Sequence, residues 1–156
     1  MKPEERDAAY LWDMLEAARE SSVLMEGVTS DSLMSDLRTR RALERTLELI
    51  GEAAARISSQ TRVMYPEIPW GAIIGQRNII AHRYAAIDYG RLFATVTEDV
   101  PALITALERI VGDLEKGTGE RGRPVLEAIE RYMNDELILS KEHHECLQQL
   151  KHPSSI

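Results

Sequence analysis

The sequence of 156 residues lacks the features that define several large protein classes. Its single cysteine, Cys146, excludes an internal disulfide and any multi-cysteine metal site. No apolar run approaches the roughly 18 residues that a membrane span needs, and the first residues do not resemble a secretory signal. Aromatic residues make up only 5%, while Ala, Leu, Glu and Arg are plentiful, which favours helices over sheets. These absences predict a helical protein of the cytoplasm without a membrane partner.

Positive charge is also scarce overall, since the formal net charge is −7. Proteins that bind nucleic acid by bulk electrostatics are usually basic, so this balance argues against non-specific binding and predicts no DNA partner. The charge is nevertheless uneven. From Ile68 to Ile87, 20 consecutive residues contain no carboxylate but include Arg77, His82 and Arg83. The sequence therefore predicts a locally positive site on a globally negative protein.

Apolar residues recur at helical spacing through most of the chain. The clearest stripes step by three and four residues, as Leu43, Leu47, Ile50, Ala54 and Ile57 do. Pro101 interrupts the last long stripe and predicts a kink there. The predicted helices span about residues 4–26, 29–58, 69–82, 88–114 and 124–151.

The fold class that follows is all-α. The first four helices predict an up-and-down four-helix bundle in a domain of residues 1–116. Three glycines between residues 117 and 122 predict a flexible joint, and residues 117–156 form a hinge plus an extra C-terminal helix. The last residues of that helix are predicted to be frayed.

The segment Gln76–Tyr84 concentrates the groups that would cut RNA without a metal. Such cleavage uses the ribose 2′-OH as nucleophile. His82 is suited to take or give the proton near neutral pH. Arg77 is suited to stabilise charge on the phosphoryl oxygens with its bidentate fork, and the amide of Asn78 to hydrogen-bond phosphate or ribose.

Helix geometry constrains this pair. Five residues turn a continuous helix by about 140°, at about 100° per residue, so Arg77 and His82 would point to different sides. They converge only if the helix ends or bends near His82, or if another chain supplies the partner. A two-fold dimer with the motif at its interface would supply two histidines and two arginines.

With these residues in view, the chain resembles a known family. The R-x4-H spacing, with a polar residue after the arginine, resembles the signature of the HEPN superfamily. The fuller R-x4-H-x-Y, seen here as Arg77, His82 and Tyr84, is similar to that of the HepT toxins. The resemblance covers roughly residues 8–115. Four segments carry it in the same order: Leu47–Ala53, Tyr65–Trp70, Arg77–Asn78 and Ile87–Asp88.

The resemblance implies a helical homodimer that is a metal-independent endoribonuclease, without cofactor, and the toxin of a type VII toxin–antitoxin system. Its implied partners are RNA and a minimal nucleotidyltransferase, the antitoxin, which transfers AMP to the motif tyrosine. Arg77 and His82 become the catalytic pair, Asn78 a supporting polar group and Tyr84 the adenylylated residue. AMP on Tyr84 would exclude an RNA phosphate by charge and by bulk.

Two features depart from the family pattern. Arg83 stands between His82 and Tyr84, where many relatives carry an acidic or small residue, and its charge is expected to aid RNA binding. The segment after Gly117 has no counterpart. It is open whether that segment docks the partner, covers the bundle or is an inert extension.

Structural interpretations stand beside these functional ones. Arg77 would form a surface ion pair with Glu52 or Asp88, and His82 would hydrogen-bond carbonyls at the end of its helix. Tyr84 would pack with one end in water, and Asn78 is as readily structural as catalytic.

Two further groups of residues favour the plainer interpretation. Neighbouring histidines on a helix point about 100° apart, so His143, His144 and Cys146 predict a solvated helix face rather than a metal site. The cluster of Arg38, Arg40, Arg41 and Arg45 is most simply a solvated face, with RNA or the antitoxin as the alternative contact.

Two other functions remain open. The first is a non-catalytic binding module that docks a nucleotidyltransferase or binds a nucleotide, which the acidic net charge slightly favours. The second is a structural dimer with a decayed motif, against which the complete motif argues. RNA cleavage separates these from the ribonuclease.

Overall fold

A computed structural model describes residues 3–82 and 87–116. These residues are helical and contain no strand, which confirms the all-α prediction. A π-helical turn, Thr95–Asp99, connects the last two helices without an intervening loop. The helices are α1 (Pro3–Leu24), α2 (Ser30–Ser35), α3 (Leu37–Arg56), α4 (Ser59–Met64), α5 (Trp70–His82), α6 (Tyr89–Ala94) and α7 (Val100–Lys116).

The bundle is built around α3 and α1. Helix α3 packs against α1 on one side and α5 on the other, and α7 packs against α1. The predicted apolar stripe of α3 is buried in full, and it meets buried side chains from α1 and α7. The largest fully buried apolar side chains are Leu11, Met14, Leu15, Leu33, Leu43, Ile68, Leu107 and Ile110. The four-helix bundle is thereby confirmed.

A buried carboxylate joins the start of α1 to the end of α3. Asp7 accepts hydrogen bonds from the Ser58 backbone N–H, at 3.0 Å, and from the hydroxyls of Ser58 and Thr61. Ser58 is also the N-cap of α4, and its hydroxyl accepts from the Thr61 N–H at 3.2 Å. The contact fixes α1 and α3 as antiparallel neighbours and holds α4 against them.

The prediction of a single helix over residues 29–58 is wrong, because the helix is interrupted at Asp36. This residue leaves the helical conformation and ends α2 while capping α3. Its carboxylate accepts from the Arg38 N–H at 3.0 Å and from the Thr39 hydroxyl at 2.6 Å. The Thr39 hydroxyl bond is the main reason that the pKa of Asp36 is lowered. Asp at a cap competes with helix continuation, and apolar periodicity does not report that competition.

The irregularity predicted at Pro101 lies in the turn before it. Asp88 caps α6, since its carboxylate accepts a hydrogen bond from the Arg91 N–H at 3.1 Å. The Val100 N–H then donates to the Thr95 carbonyl, five residues back, which is the π-helical pattern. Since Pro101 has no N–H to donate, the helix adjusts its hydrogen bonds in the preceding turn.

The joint and the C-terminal helix predicted within residues 117–156 lie outside the described residues. The division of the chain at residue 116 therefore stays a prediction. Among the helices of the described ranges, none is long and apolar enough to cross a membrane.

Candidate functional site

Helix α5 carries the predicted catalytic pair. The connector before it is fixed by buried Ile68 and by the indole N–H of Trp70, which donates to the Tyr65 carbonyl at 3.0 Å. Pro66 and Pro69 keep this connector from extending the helix backwards. The helix then runs without a break from Trp70 to His82, as predicted.

Helices α3 and α5 approach each other closely at Gly51. A Cβ atom on this residue would lie 2.2 Å from Arg77 Cβ and 3.2 Å from the Ile73 carbonyl oxygen. Real Cβ atoms essentially never come within 3.0 Å of such neighbours, so only glycine permits this packing. The backbone of α3 therefore lies directly against the first side-chain carbons of Arg77.

The guanidinium of Arg77 is held by two neighbours. Its Nη2 lies 3.4 Å from Glu52 Oε1, and its Nη1 donates to Asn78 Oδ1 at 3.0 Å. Its Nε is buried and has no acceptor in the part of the chain that the structure describes. The predicted ion pair with Glu52 is confirmed, whereas Asp88 caps α6 instead. This ion pair and a catalytic role are compatible, because the guanidinium remains partly exposed.

His82 is exposed and is the last residue of α5. Since the helix is continuous between Arg77 and His82, helical twist separates their directions by about 140°. The described residues of α5 stop at His82, so a helix end near His82 and a partner supplied by a second chain both stay predictions. The structure thus fixes Arg77 in a packed position and leaves His82 exposed.

The other two predicted site residues, Arg83 and Tyr84, lie outside the described residues. Their assignments to RNA binding and adenylylation stay predictions. Asn78 lies on the exposed face of α5, beside Arg77.

The outer face of α5 carries mostly small and apolar residues. Gly71, Ala72, Gly75 and Ile79 are exposed along it, and the face continues to His82. A Cβ added at Gly71 or Gly75 would meet no heavy atom of the described residues within 4 Å. Packing within this bundle therefore does not require either glycine, in contrast to Gly51.

The arginine cluster is mostly solvated, as predicted: Arg38, Arg41 and Arg45 are exposed, and Arg40 is half-buried. Buried Glu44 pairs with Arg41 at 2.7 Å and accepts a hydrogen bond from the Tyr89 hydroxyl, while the Arg40 guanidinium lies 5.3 Å from the Tyr89 ring centre. The hydrogen bond to Glu44 is the main reason that the pKa of Tyr89 is raised. These contacts tie the chain that follows α5 back to α3. The sequence signal for these contacts was Glu44 itself, because a glutamate on the buried face of an amphipathic helix needs a partner.

Metal binding has no support in the described ranges. No three His, Cys, Asp or Glu side chains within residues 3–82 and 87–116 come together as ligands would. His143, His144 and Cys146 lie outside these ranges, so the prediction of a solvated face there stays untested.

Comparison with known proteins now gives the family. A family model described as "Ribonuclease HepT-like" matches residues 14–110, which include all of α3 and α5. "Putative RNase MJ1380" of Methanocaldococcus jannaschii is 36% identical over 100 residues, covering 64% of this chain and 92% of its own. "Probable ribonuclease HepT" of Thermococcus cleftensis is 33% identical over 110 residues, covering 70% of this chain and 98% of its own.

A third relative, "Putative RNase MJ0127" of Methanocaldococcus jannaschii, is 31% identical over 113 residues, covering 72% of this chain and 93% of its own. No solved structure matches the chain. The family match spans more than half of the 156 residues and contains the whole R-x4-H-x-Y motif. The chain therefore belongs to the ribonuclease HepT-like family of the HEPN superfamily.

Proposed function

We propose that this protein is a metal-independent endoribonuclease that cuts RNA with Arg77 and His82. The observation that carries the proposal is the arrangement on α5. One uninterrupted helix presents a guanidinium that is anchored by Glu52 and, five residues later, an exposed histidine. Membership of a ribonuclease family and the names of its relatives support the same activity.

The chemistry follows from the two side chains. The 2′-oxygen of RNA attacks the adjacent phosphorus as its proton passes to His82 acting as base. The bond from phosphorus to the 5′-oxygen breaks, and that oxygen takes a proton from a protonated histidine. The products are a 2′,3′-cyclic phosphate and a 5′-hydroxyl. Arg77 stabilises the charge on the non-bridging oxygens, while Asn78 and Arg83 hold phosphate or ribose.

A homodimer is part of the proposal. One chain brings one histidine to a reaction that needs a base and an acid, and α5 turns Arg77 and His82 about 140° apart. A second copy that packs on the outer face of α5 would complete both sites. The exposed Gly71, Gly75 and Ile79 support this placement, since small residues let two helices approach closely.

Control of the activity is assigned to Tyr84. We propose that a nucleotidyltransferase antitoxin adenylylates its hydroxyl, as the resemblance to HepT toxins implies. The added phosphodiester is negatively charged and bulky, and Tyr84 stands two residues after His82. It would therefore exclude an RNA phosphate from the same site by repulsion and by volume.

The test is cleavage of total cellular RNA in the presence of EDTA. We expect the wild type to cut RNA to cyclic phosphates and His82→Ala to leave it intact. Arg19→Ala is the control, because it removes an exposed cation on α1 that pairs with Glu16 and Glu108 and with no residue of the motif. The intact mass must first show that Tyr84 does not carry AMP. Equal cleavage by His82→Ala would refute the catalytic assignment.

The second candidate is a binding module that docks the nucleotidyltransferase or a nucleotide without cutting RNA. The net charge of −7 favours a binding module, because a negatively charged protein does not attract polyanionic RNA by bulk electrostatics. An unmodified wild type that cuts no RNA, yet binds the nucleotidyltransferase, would establish this function instead.

A further inference from the structure

We propose that Glu52 is a positioning residue that sets the direction of the Arg77 guanidinium. The inference rests on the proposed ribonuclease function, because it gives Glu52 a part in that reaction. Glu52 does not touch the substrate in this proposal. It acts through its ion pair with Arg77, in which Oε1 lies 3.4 Å from Nη2.

Arg77 is held at both ends of its side chain. Gly51 receives its first carbons so closely that no other residue fits there, and Glu52 pairs with the far end. These adjacent residues of α3 together restrict a long side chain that would otherwise sample many rotamers. Asn78 adds a third contact at Nη1. A guanidinium fixed in this way needs little rearrangement to meet developing charge.

The ion pair is only half-buried, which leaves room for substrate. The side chains of Arg77 and Glu52 are 29% and 31% exposed. One edge of the guanidinium thus faces Glu52, and a phosphoryl oxygen would meet the part left open to solvent. The buried Nε, which has no acceptor among the described residues, cannot serve as this contact because solvent does not reach it.

The charge of Glu52 gives the proposal a kinetic signature. A carboxylate beside Arg77 weakens the attraction of the ground-state phosphate, so removing it does not weaken RNA binding. Removing it does free the guanidinium to adopt unproductive directions, which weakens stabilisation of the transition state. A residue that simply bound RNA would change KM in the opposite sense.

Glu48 provides a matched control on the same helix. It lies one turn before Glu52 and pairs at 3.2 Å with Arg45 of the same helix, whereas Glu52 pairs with an arginine of α5. Within residues 3–82 and 87–116, no hydrogen bond or ion pair joins Arg45 or Glu48 to Arg77. Glu48→Ala therefore removes the same charge from the same surface and leaves the candidate site unchanged.

The first experiment measures cleavage kinetics on a short RNA. We expect Glu52→Ala to lower kcat about 10- to 100-fold, the usual consequence of a misplaced catalytic group, with KM unchanged or lower. Glu52→Asp should restore part of kcat, and Glu48→Ala should match the wild type. In an Arg77→Ala background, adding Glu52→Ala should change the residual kcat by less than about twofold, since no guanidinium is left to position.

The second experiment does not depend on cleavage. The Arg77 Nε–H is shielded from solvent, so its signal is expected to persist in a ¹⁵N NMR spectrum of the side chain. We expect relaxation to report an ordered Nε–H in the wild type and in Glu48→Ala, and a mobile one in Glu52→Ala. An equally ordered signal in Glu52→Ala would overturn the proposal, as would wild-type kcat in that variant.

The two experiments separate the inference from the proposed function. If the unmodified wild type cut no RNA, the ribonuclease assignment would be wrong, while the Arg77 signal would still decide whether Glu52 positions the guanidinium. If the wild type cut RNA and Glu52→Ala raised KM without lowering kcat, the ribonuclease would stand and the positioning role would be overturned.

Discussion

The two faces of α5 differ in how tightly they are specified. The inner face packs so closely on α3 that Gly51 admits no Cβ, and it fixes Arg77 between Gly51 and Glu52. The outer face exposes Gly71 and Gly75 to open space among the described residues. Both faces contain or meet glycine, yet for different reasons. On the inner side, packing requires glycine at position 51. On the outer side, packing within the described residues does not require Gly71 or Gly75.

This difference separates two requirements of the candidate site. The inner face holds the side chain of Arg77 in place, which a single chain accomplishes alone. The outer face leads to His82 and is the surface on which the proposed second copy would pack. Four predictions test this contrast and the anchor that follows α5, in decreasing order of expected effect.

The adjacent isoleucines of α5 give the sharpest contrast. Ile80 is 4% exposed and Ile79 is 43% exposed. We expect Ile80→Ala to lower the free energy of unfolding by about 3 kcal/mol, because it leaves a cavity in the core. Ile79→Ala should change it by less than about 0.5 kcal/mol in dilute protein. Urea denaturation of both variants checks this, and equal losses would show that the two faces are not distinct.

Gly51→Ala tests the close packing directly. The new Cβ would overlap Arg77 Cβ, so α3 and α5 must move apart. We expect a net loss of about 2 kcal/mol, since overpacking outweighs the better helix propensity of alanine. Urea denaturation measures the loss, and the Arg77 Nε–H signal should shift. A variant more stable than the wild type would contradict the predicted contact.

Gly75→Ala should have the opposite sign. The added methyl meets open space, and alanine is the better helix former, so the isolated chain should gain up to about 1 kcal/mol. The same methyl would hold apart two copies packed on this face. Sedimentation equilibrium is therefore expected to show weaker self-association than in the wild type. Unchanged association would remove the outer face of α5 from the proposed dimer.

Tyr89→Phe tests the anchor that follows α5. We expect a loss of about 1 kcal/mol at pH 7, because the hydroxyl donates to Glu44 while Arg41 still pairs with that carboxylate. The folded-state pKa of Tyr89 is raised above its unfolded value near 10. The stabilisation is thus complete below pH 10 and is lost as pH rises through the folded-state pKa.

Denaturation of both proteins across this pH range is the measurement. We expect the difference in the free energy of unfolding between wild type and Tyr89→Phe to become smaller as the pH rises above 10. A difference that stayed constant would mean that the hydroxyl does not donate to Glu44 in solution.

The fold was largely predictable because burial in a bundle follows helical spacing. The stripe from Leu43 to Ile57 and the bounds of α5 match the structure. The break at Asp36 and the short α4 were not predictable from that spacing. Both depend on side-chain oxygens that cap helix ends, and apolar periodicity carries no information on where a cap ends one helix and begins the next.

The sequence was enough to propose the residues of the candidate site, but not to predict the contacts that hold Arg77. Motif spacing identified Arg77 and His82, and charge alone suggested Glu52 as a partner of Arg77. The closeness of Gly51 to Arg77 depends on how two helices distant in sequence come together. A glycine inside an amphipathic helix signals a close approach, but it does not name the residue that approaches.

The buried Asp7 has a consequence for hydrogen exchange. A helix of six residues is not stable alone in water, and α4 is capped through Ser58 and Thr61, both of which donate to Asp7 on α1. Helix α4 should therefore be protected only while α1 is docked. Its amide protons would report that docking, and in Asp7→Ala they should exchange at nearly the rate of an unfolded chain while the core of α3 stays protected.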